Sequence, residues 1–229
     1  MIASPLLSPP LFSVGPLPIT SQVVVTWVII ALIALLARWA GRSFKPQPGR
    51  IQTVAELFYS TLDNQIRDTL RTDPAPYLPF IACLFLFVLC ANLSSLVPGI
   101  EAPTAHIETD AALALLVFCS IIVFGVRSRG LVGYLKSFAD PSWVMLPLNL
   151  VESLTRTFSL MLRLFGNMMS GAFVIAIMVS LAGLFVPIPF MALDVLVGII
   201  QAYIFAMLAL VFIGAAIGET EKNSSKEKT

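Results

Sequence analysis

The sequence predicts an all-α integral membrane protein with five membrane crossings and one surface amphipathic helix. Its last two helices should be long and steeply tilted, paired as a hairpin. Three observations carry this. Hydrophobic residues make up 58% of the 229 positions and charged residues 12%, with a mean hydropathy of +0.91, whereas a soluble domain is about a quarter charged. Several apolar runs approach or exceed the ~20 residues that span a bilayer. The basic residues outside those runs fall on one side of the resulting topology. A net charge of +1 speaks against a nucleic-acid partner.

The elements follow in order. Residues 1–18 hold no Lys or Arg and so lack the charged start of a signal peptide; they read as an uncleaved, irregular external leader. The first crossing runs from Ile19 to Ala37. Arg38, Arg42, Lys45 and Arg50 follow it, and Pro46 and Pro48 break the helix. From Val54 to Leu70, Val54, Leu57, Phe58, Leu62, Ile66 and Leu70 recur at three-to-four spacing, with Glu56, Asp63, Arg67 and Asp68 opposite. That pattern is an amphipathic helix, either lying on the membrane surface or facing water as a connector. The second crossing, Tyr77 to Val97, stops at Pro98-Gly99. A loop with Glu101, Glu108 and Asp110 leads to a short third crossing, Ala111 to Val126, which ends in Arg127-Ser128-Arg129 before a loop carrying Lys136.

After Pro147, Leu148 to Phe185 is a run of 38 residues, which at ~1.5 Å per residue is roughly 57 Å of helix. Pro187 and Pro189 make a tight break, and Phe190 to Ile217 adds roughly 42 Å by the same rise. The hydrocarbon core is only ~30 Å thick, so both helices must tilt or kink. The tail from Glu219 is polar and should fray. The chain thus divides into a leader (1–18), peripheral spans with the surface helix (19–142), an oblique helical hairpin (143–218) and a cytoplasmic tail (219–229).

Of the 14 basic residues, all but Arg156 and Arg163 lie on one side once the N-terminus is set outside. Positive residues collect in the cytoplasm, which gives N-out and C-in. Cys83, Cys90 and Cys119 sit within apolar runs with no metal-type spacing, and read as small packing residues. His106, the lone histidine, falls in a polar loop, where solvation is the plain expectation.

Chemistry concentrates in the hairpin. Asn149, Glu152, Arg156, Ser159, Arg163, Asn167 and Ser170 follow at spacings of three or four, a single polar stripe on an otherwise apolar helix. Such a stripe lines water or meets other polar groups. Glu152 and Arg156 can pair at i, i+4, whether for structure or function. Arg163 has no acid three or four residues away. At membrane depth an arginine costs at least ~2.5–3.5 kcal/mol, and it cannot shed its proton. It therefore needs water or a counter-charge from elsewhere. On the last helix Asp194 and Gln201 share one face, with Gly198 between them leaving room for close approach. Gln201 is placed to hydrogen-bond Arg163 across the hairpin. Asp194, near the proline turn, either takes up an ion from the outer medium or simply snorkels to water.

The run Leu162-Arg163-Leu164-Phe165-Gly166-Asn167-Met168, with Pro147, Asn149 and Glu152 upstream and Gln201-Ala202-Tyr203-Ile204-Phe205 downstream, resembles subunit a of the F-type ATP synthase membrane sector. The resemblance is strongest from Pro147 onward. It implies a non-catalytic stator facing a ring of c-type proteolipids, with b-type peripheral-stalk subunits as further partners and no cofactor or metal. Two offset half-channels would carry ions to and from ring carboxylates in a bacterial inner membrane. Arg163 matches the essential arginine, Asn167 the nearby polar residue and Gln201 the glutamine facing the arginine; Glu152 would line the cytoplasmic exit. ATP chemistry would reside on other subunits.

The sequence departs from the common family pattern in two places. A glutamate frequent nine residues after the arginine is Ala172 here, and a histidine frequent seven before the glutamine is Asp194. Asp194 would then serve the outer half-channel, alone or aided by Glu108 or Asp110. Protons are the default coupling ion and sodium, which needs only oxygen ligands, the alternative. A small secondary ion transporter would show a repeated stripe, and none is present. A purely structural scaffold gives no reason for the arginine, and an intramembrane enzyme would need a motif such as HExxH or GxSxG, both absent.

Overall fold

The computed structural model describes residues 12–14, 17–42, 50–97, 102–138, 145–183 and 185–226. Among the described residues six helices follow one another: α1 (Ser21–Arg42), α2 (Arg50–Leu70), α3 (Leu78–Leu93), α4 (Ile107–Phe138), α5 (Met145–Ala182) and α6 (Pro187–Lys226). Short 3₁₀ turns cover Ser94–Leu96 and Pro103–Ala105. All but α2 contain a segment long and apolar enough to cross a bilayer. The crossings in α5 and α6 span 35 and 31 residues, well beyond the ~20 that an upright helix needs. Proline helps set the helix starts: Pro79 opens α3 and Pro187 opens α6, where the missing N–H costs nothing.

α6 is the centre of the molecule, packing against α2, α3, α4 and α5. Its Ala202, Phe205, Ala206, Ala209, Leu210 and Ile213 are all but inaccessible. Around them lie Ile81 and Val88 of α3, Val117 of α4, Leu160 and Leu164 of α5, and Ile66 of α2. The run of small residues on α6 lets neighbours approach closely, as membrane helices require. At Gly198 a Cβ would stand 3.2 Å from that of Asn92.

The structure corrects the sequence-based expectations at several points. Within the leader, β1 (Phe12–Val14) and β2 (Leu17–Ile19) pair antiparallel as a three-residue hairpin; residues 1–11 lie outside the described set. Helix α2 seats its Leu62 and Ile66 stripe on protein, with Phe58 against Phe85 of α3 at 5.7 Å. Its Val54, Leu57 and Tyr59 remain exposed. Helix α4 starts earlier than the expected loop allows, taking Glu108 and Asp110 into its first turn, where acids complement the helix dipole. It also runs on to Phe138 across a kink at Gly130, whose φ of 72° suits glycine, so Lys136 lies on helix. α6 continues to Lys226 instead of fraying at Glu219; Glu219, Glu221 and Lys222 are good helix formers. Cys83 and Cys119 are exposed and Cys90 is half-buried, all free, so none is a core packer.

Candidate functional site

On α5, Leu160, Leu164 and Met168 form the buried stripe. The polar stripe runs beside it, along the margin where the packed face turns outward. Asn149, Arg156 and Asn167 are half-buried on the inner edge of that margin; Glu152, Ser159, Arg163 and Ser170 are exposed on the outer edge. Glu152 and Arg156 pair as expected, and the Arg156 guanidinium also lies over the Phe212 ring of α6, 5.4 Å from its centroid. Thr155 and Thr157 return their hydroxyls to carbonyls of their own helix, which removes them from the polar surface.

Arg163 is exposed and makes no hydrogen bond or ion pair with any described residue. The expected bond to Gln201 is not formed. Gln201 is buried, and its Nε2 finds no acceptor. The reason is orientation: Arg163 follows the outward edge of α5, whereas Gln201 lies in the face that α6 turns into the core. Asn167 has a buried Nδ2 that likewise lacks a partner.

Towards the α5–α6 turn the packing opens. Asp194 is half-buried, its carboxylate resting directly on the backbone of Gly171; a Cβ there would lie 2.1 Å from Oδ1. Only glycine at 171 admits this approach. Asp194 lines a cavity of about 470 Å³, room for several waters at ~30 Å³ each. Ala172, Met168, Met191, Ser95 and His106 share that wall. Along α5, Gly171 is eight residues from Arg163, ~12 Å, and Glu152 is eleven residues away on the other side, ~16 Å.

Three further polar groups at this end take surroundings that the sequence does not show. Asn92 of α3 donates from Nδ2 to the Gly198 carbonyl at 2.9 Å and accepts from the Thr104 hydroxyl at 2.9 Å, all buried. His106 is not a solvated loop residue: it is half-buried, lines the cavity and meets Gln22 of α1. Asp110 is wholly buried, and neither carboxylate oxygen has a hydrogen-bond partner. Asn92, in an apolar run, is recognisable as a buried amide in need of partners; its partners, 12 and 106 residues away, are not.

Fold and site together define a polytopic helical membrane protein with an outward-facing charge on its longest hairpin and, beside the hairpin turn, a mostly apolar cavity that holds Asp194 and His106. The family model of the ATP synthase A chain matches residues 23–214. ATP synthase subunit a 2 of a Bradyrhizobium species is 55% identical over 97% of this chain and 100% of its own length. ATP synthase subunit a 2 of a Picosynechococcus species is 41% identical over 90% of each chain, and ATP synthase subunit a of Albidiferax ferrireducens 40% over 93% of this chain and 94% of its own. The chain belongs to the ATP synthase subunit a family, whose work is ATP synthesis and ion transport in a membrane.

Proposed function

We propose that this chain is the stator subunit that offers two ion half-channels to a ring of c-type proteolipids and keeps them apart with Arg163. The observation that carries the reading is a permanent cation exposed on a membrane helix and unpaired with any described residue of its own chain. Lipid is a poor neighbour for it, so the face it occupies calls for a partner bearing carboxylates. A ring carboxylate that has lost its ion is attracted to the guanidinium, and a loaded ion is repelled from crossing between the channels. Each charge that leaked across would waste ~2.3 kcal/mol per 100 mV.

The cavity at Asp194 is the outer half-channel, and the margin near Glu152 is the inner one. The two lie on opposite sides of Arg163 along α5, which is the offset a rotary stator needs. Gln201 and Asn167 carry buried amide donors that lack acceptors, which supports a polar route between cavity and arginine. Arg156, Asn149, Ser159 and Ser170 extend the polar margin. The positive-inside pattern supports an external N-terminus and a cytoplasmic tail in a bacterial inner membrane. The peripheral spans face lipid and b-type stalk subunits, the ion is the proton, and nucleotide chemistry belongs to other subunits.

The test is Arg163→Ala in the assembled complex. ATP-driven proton uptake into inverted vesicles should fall at least ~100-fold, the scale of losing a preorganised charge, while the subunits still copurify. Normal uptake would reject the role.

A further inference from the structure

We propose that His106 is a proton-exchanging residue of the outer half-channel, passing protons across the cavity to Asp194; this rests on the cavity being that half-channel. Among the described residues that line the cavity, His106 and Asp194 are the only two with ionisable side chains. They come from different elements, His106 from the approach to α4 and Asp194 from α6, and no hydrogen bond joins them. The space between them is large enough for water. α5 contributes Met168, Met169, Ala172 and Phe173 to the same wall, none of them ionisable. Whatever enters from the outer side therefore meets one imidazole and one carboxylate.

His106 is fixed at its backbone and held at its ring. Its carbonyl accepts from the Thr109 and Asp110 amides at 3.2 and 3.3 Å, which anchors it at the start of α4. Its Nε2 lies 2.7 Å from Nε2 of Gln22. The Thr20 hydroxyl donates to Oε1 of that same amide, so the Gln22 NH₂ group faces the ring and donates to it. With Nε2 accepting, a neutral ring carries its proton on Nδ1. A proton arriving at Nε2 would oppose two donors and loosen this contact. Release of the Nδ1 proton to cavity water, and on to the Asp194 carboxylate, leaves the ring neutral as the other tautomer, and transfer of the Nε2 proton to Nδ1 through cavity water, with no net gain or loss, restores the starting one. One proton enters and one leaves.

The surroundings suit this task. Asp194 is the acid from α6. α4 adds Asp110, buried one turn on, and the exposed Glu108; α1 adds the neutral Gln22, the turn after α3 adds Ser95, and α5 adds no charge. A hard cation such as sodium prefers oxygen ligands and gains little from an imidazole. The histidine therefore points to the proton as the ion taken up here.

The experiment compares His106→Ala, His106→Gln and Asp194→Asn in the assembled complex, reading ATP-driven proton uptake in vesicles with and without added imidazole. Both His106 variants should slow uptake about tenfold, below the ~100-fold reach of a positioned proton-transfer group because rotation shares control of the rate. Imidazole should restore His106→Ala and not Asp194→Asn. His106→Gln, which can still bond Gln22, separates relay from scaffolding: full activity overturns the proposal. It is overturned equally if imidazole fails to restore His106→Ala, or if the unaltered complex moves sodium and no protons. Normal uptake with His106→Ala beside impaired Asp194→Asn would leave the half-channel standing without His106. Normal uptake in both would remove the half-channel reading itself.

Discussion

The two arms of the hairpin solve opposite problems. Of the apolar window in α6, 44% is buried within the chain; of that in α5, 11%. α6 is the arm the fold is built on, with its small and aromatic residues enclosed by four helices. α5 is the arm the fold displays, with one stripe of leucine and methionine holding it down and a polar margin left facing out. Helices that belong to a fold bury their surface in it, and α5 leaves most of its surface for something else. The contrast is clearest between Gln201, buried on α6, and Arg163, exposed on α5.

Substitutions on the two arms should therefore fail in different ways. The largest effect is expected at the displayed charge. Arg163→Lys keeps the charge and loses the planar fork; proton uptake should fall nearly as far as with alanine, with unchanged assembly. Near-normal uptake by the lysine variant would reduce the role of Arg163 to charge alone. Asp194→Asn should cut uptake about tenfold, measured in the same vesicles; equal rates would mean that the cavity conducts nothing. Gly171→Ala places a methyl group where the Asp194 carboxylate rests. It should slow uptake a few-fold by displacing that group, with the protein level unaltered, since the atom it meets is the end of a side chain that can turn away. The smallest functional effect belongs to the buried arm. Asn92→Ala removes the link from α3 to the Gly198 carbonyl and to Thr104, at about 1–3 kcal/mol for the stranded groups. The amount of subunit surviving in detergent should drop more than the rate per assembled complex; the reverse would make Asn92 part of the pathway.

Much of this architecture is legible in the order of the amino acids. Hydropathy marks the crossings because a bilayer imposes one length scale on every apolar run. The stripe from Asn149 to Ser170 is legible because helical spacing is local. Arg163 stands out because no acid lies within a turn of it. What the sequence hides is distant in the chain. Gln22 meets His106 across 84 positions, and no local pattern marks that pair. Gly171 reads as one more small residue, and only the fold lays Asp194 upon it. The bond expected between Arg163 and Gln201 assumes that both face the seam of the hairpin. The helical phase of α5 instead puts Arg163 on the far side of the Leu160–Leu164 stripe from the core, a rotation that only packing decides.

The wall of the cavity carries one further consequence. Met168, Met169 and Met191 line it together, and thioethers are readily converted to sulfoxides. Any water column that reaches Asp194 also admits dissolved peroxide. Oxygen added at these sulfurs would turn a soft apolar lining into a polar, chiral one. Mild peroxide treatment should add mass to the peptides holding these three methionines before those holding Met161, and conduction should decline in step. The proposed half-channel is in this respect also a place where oxidative damage is recorded.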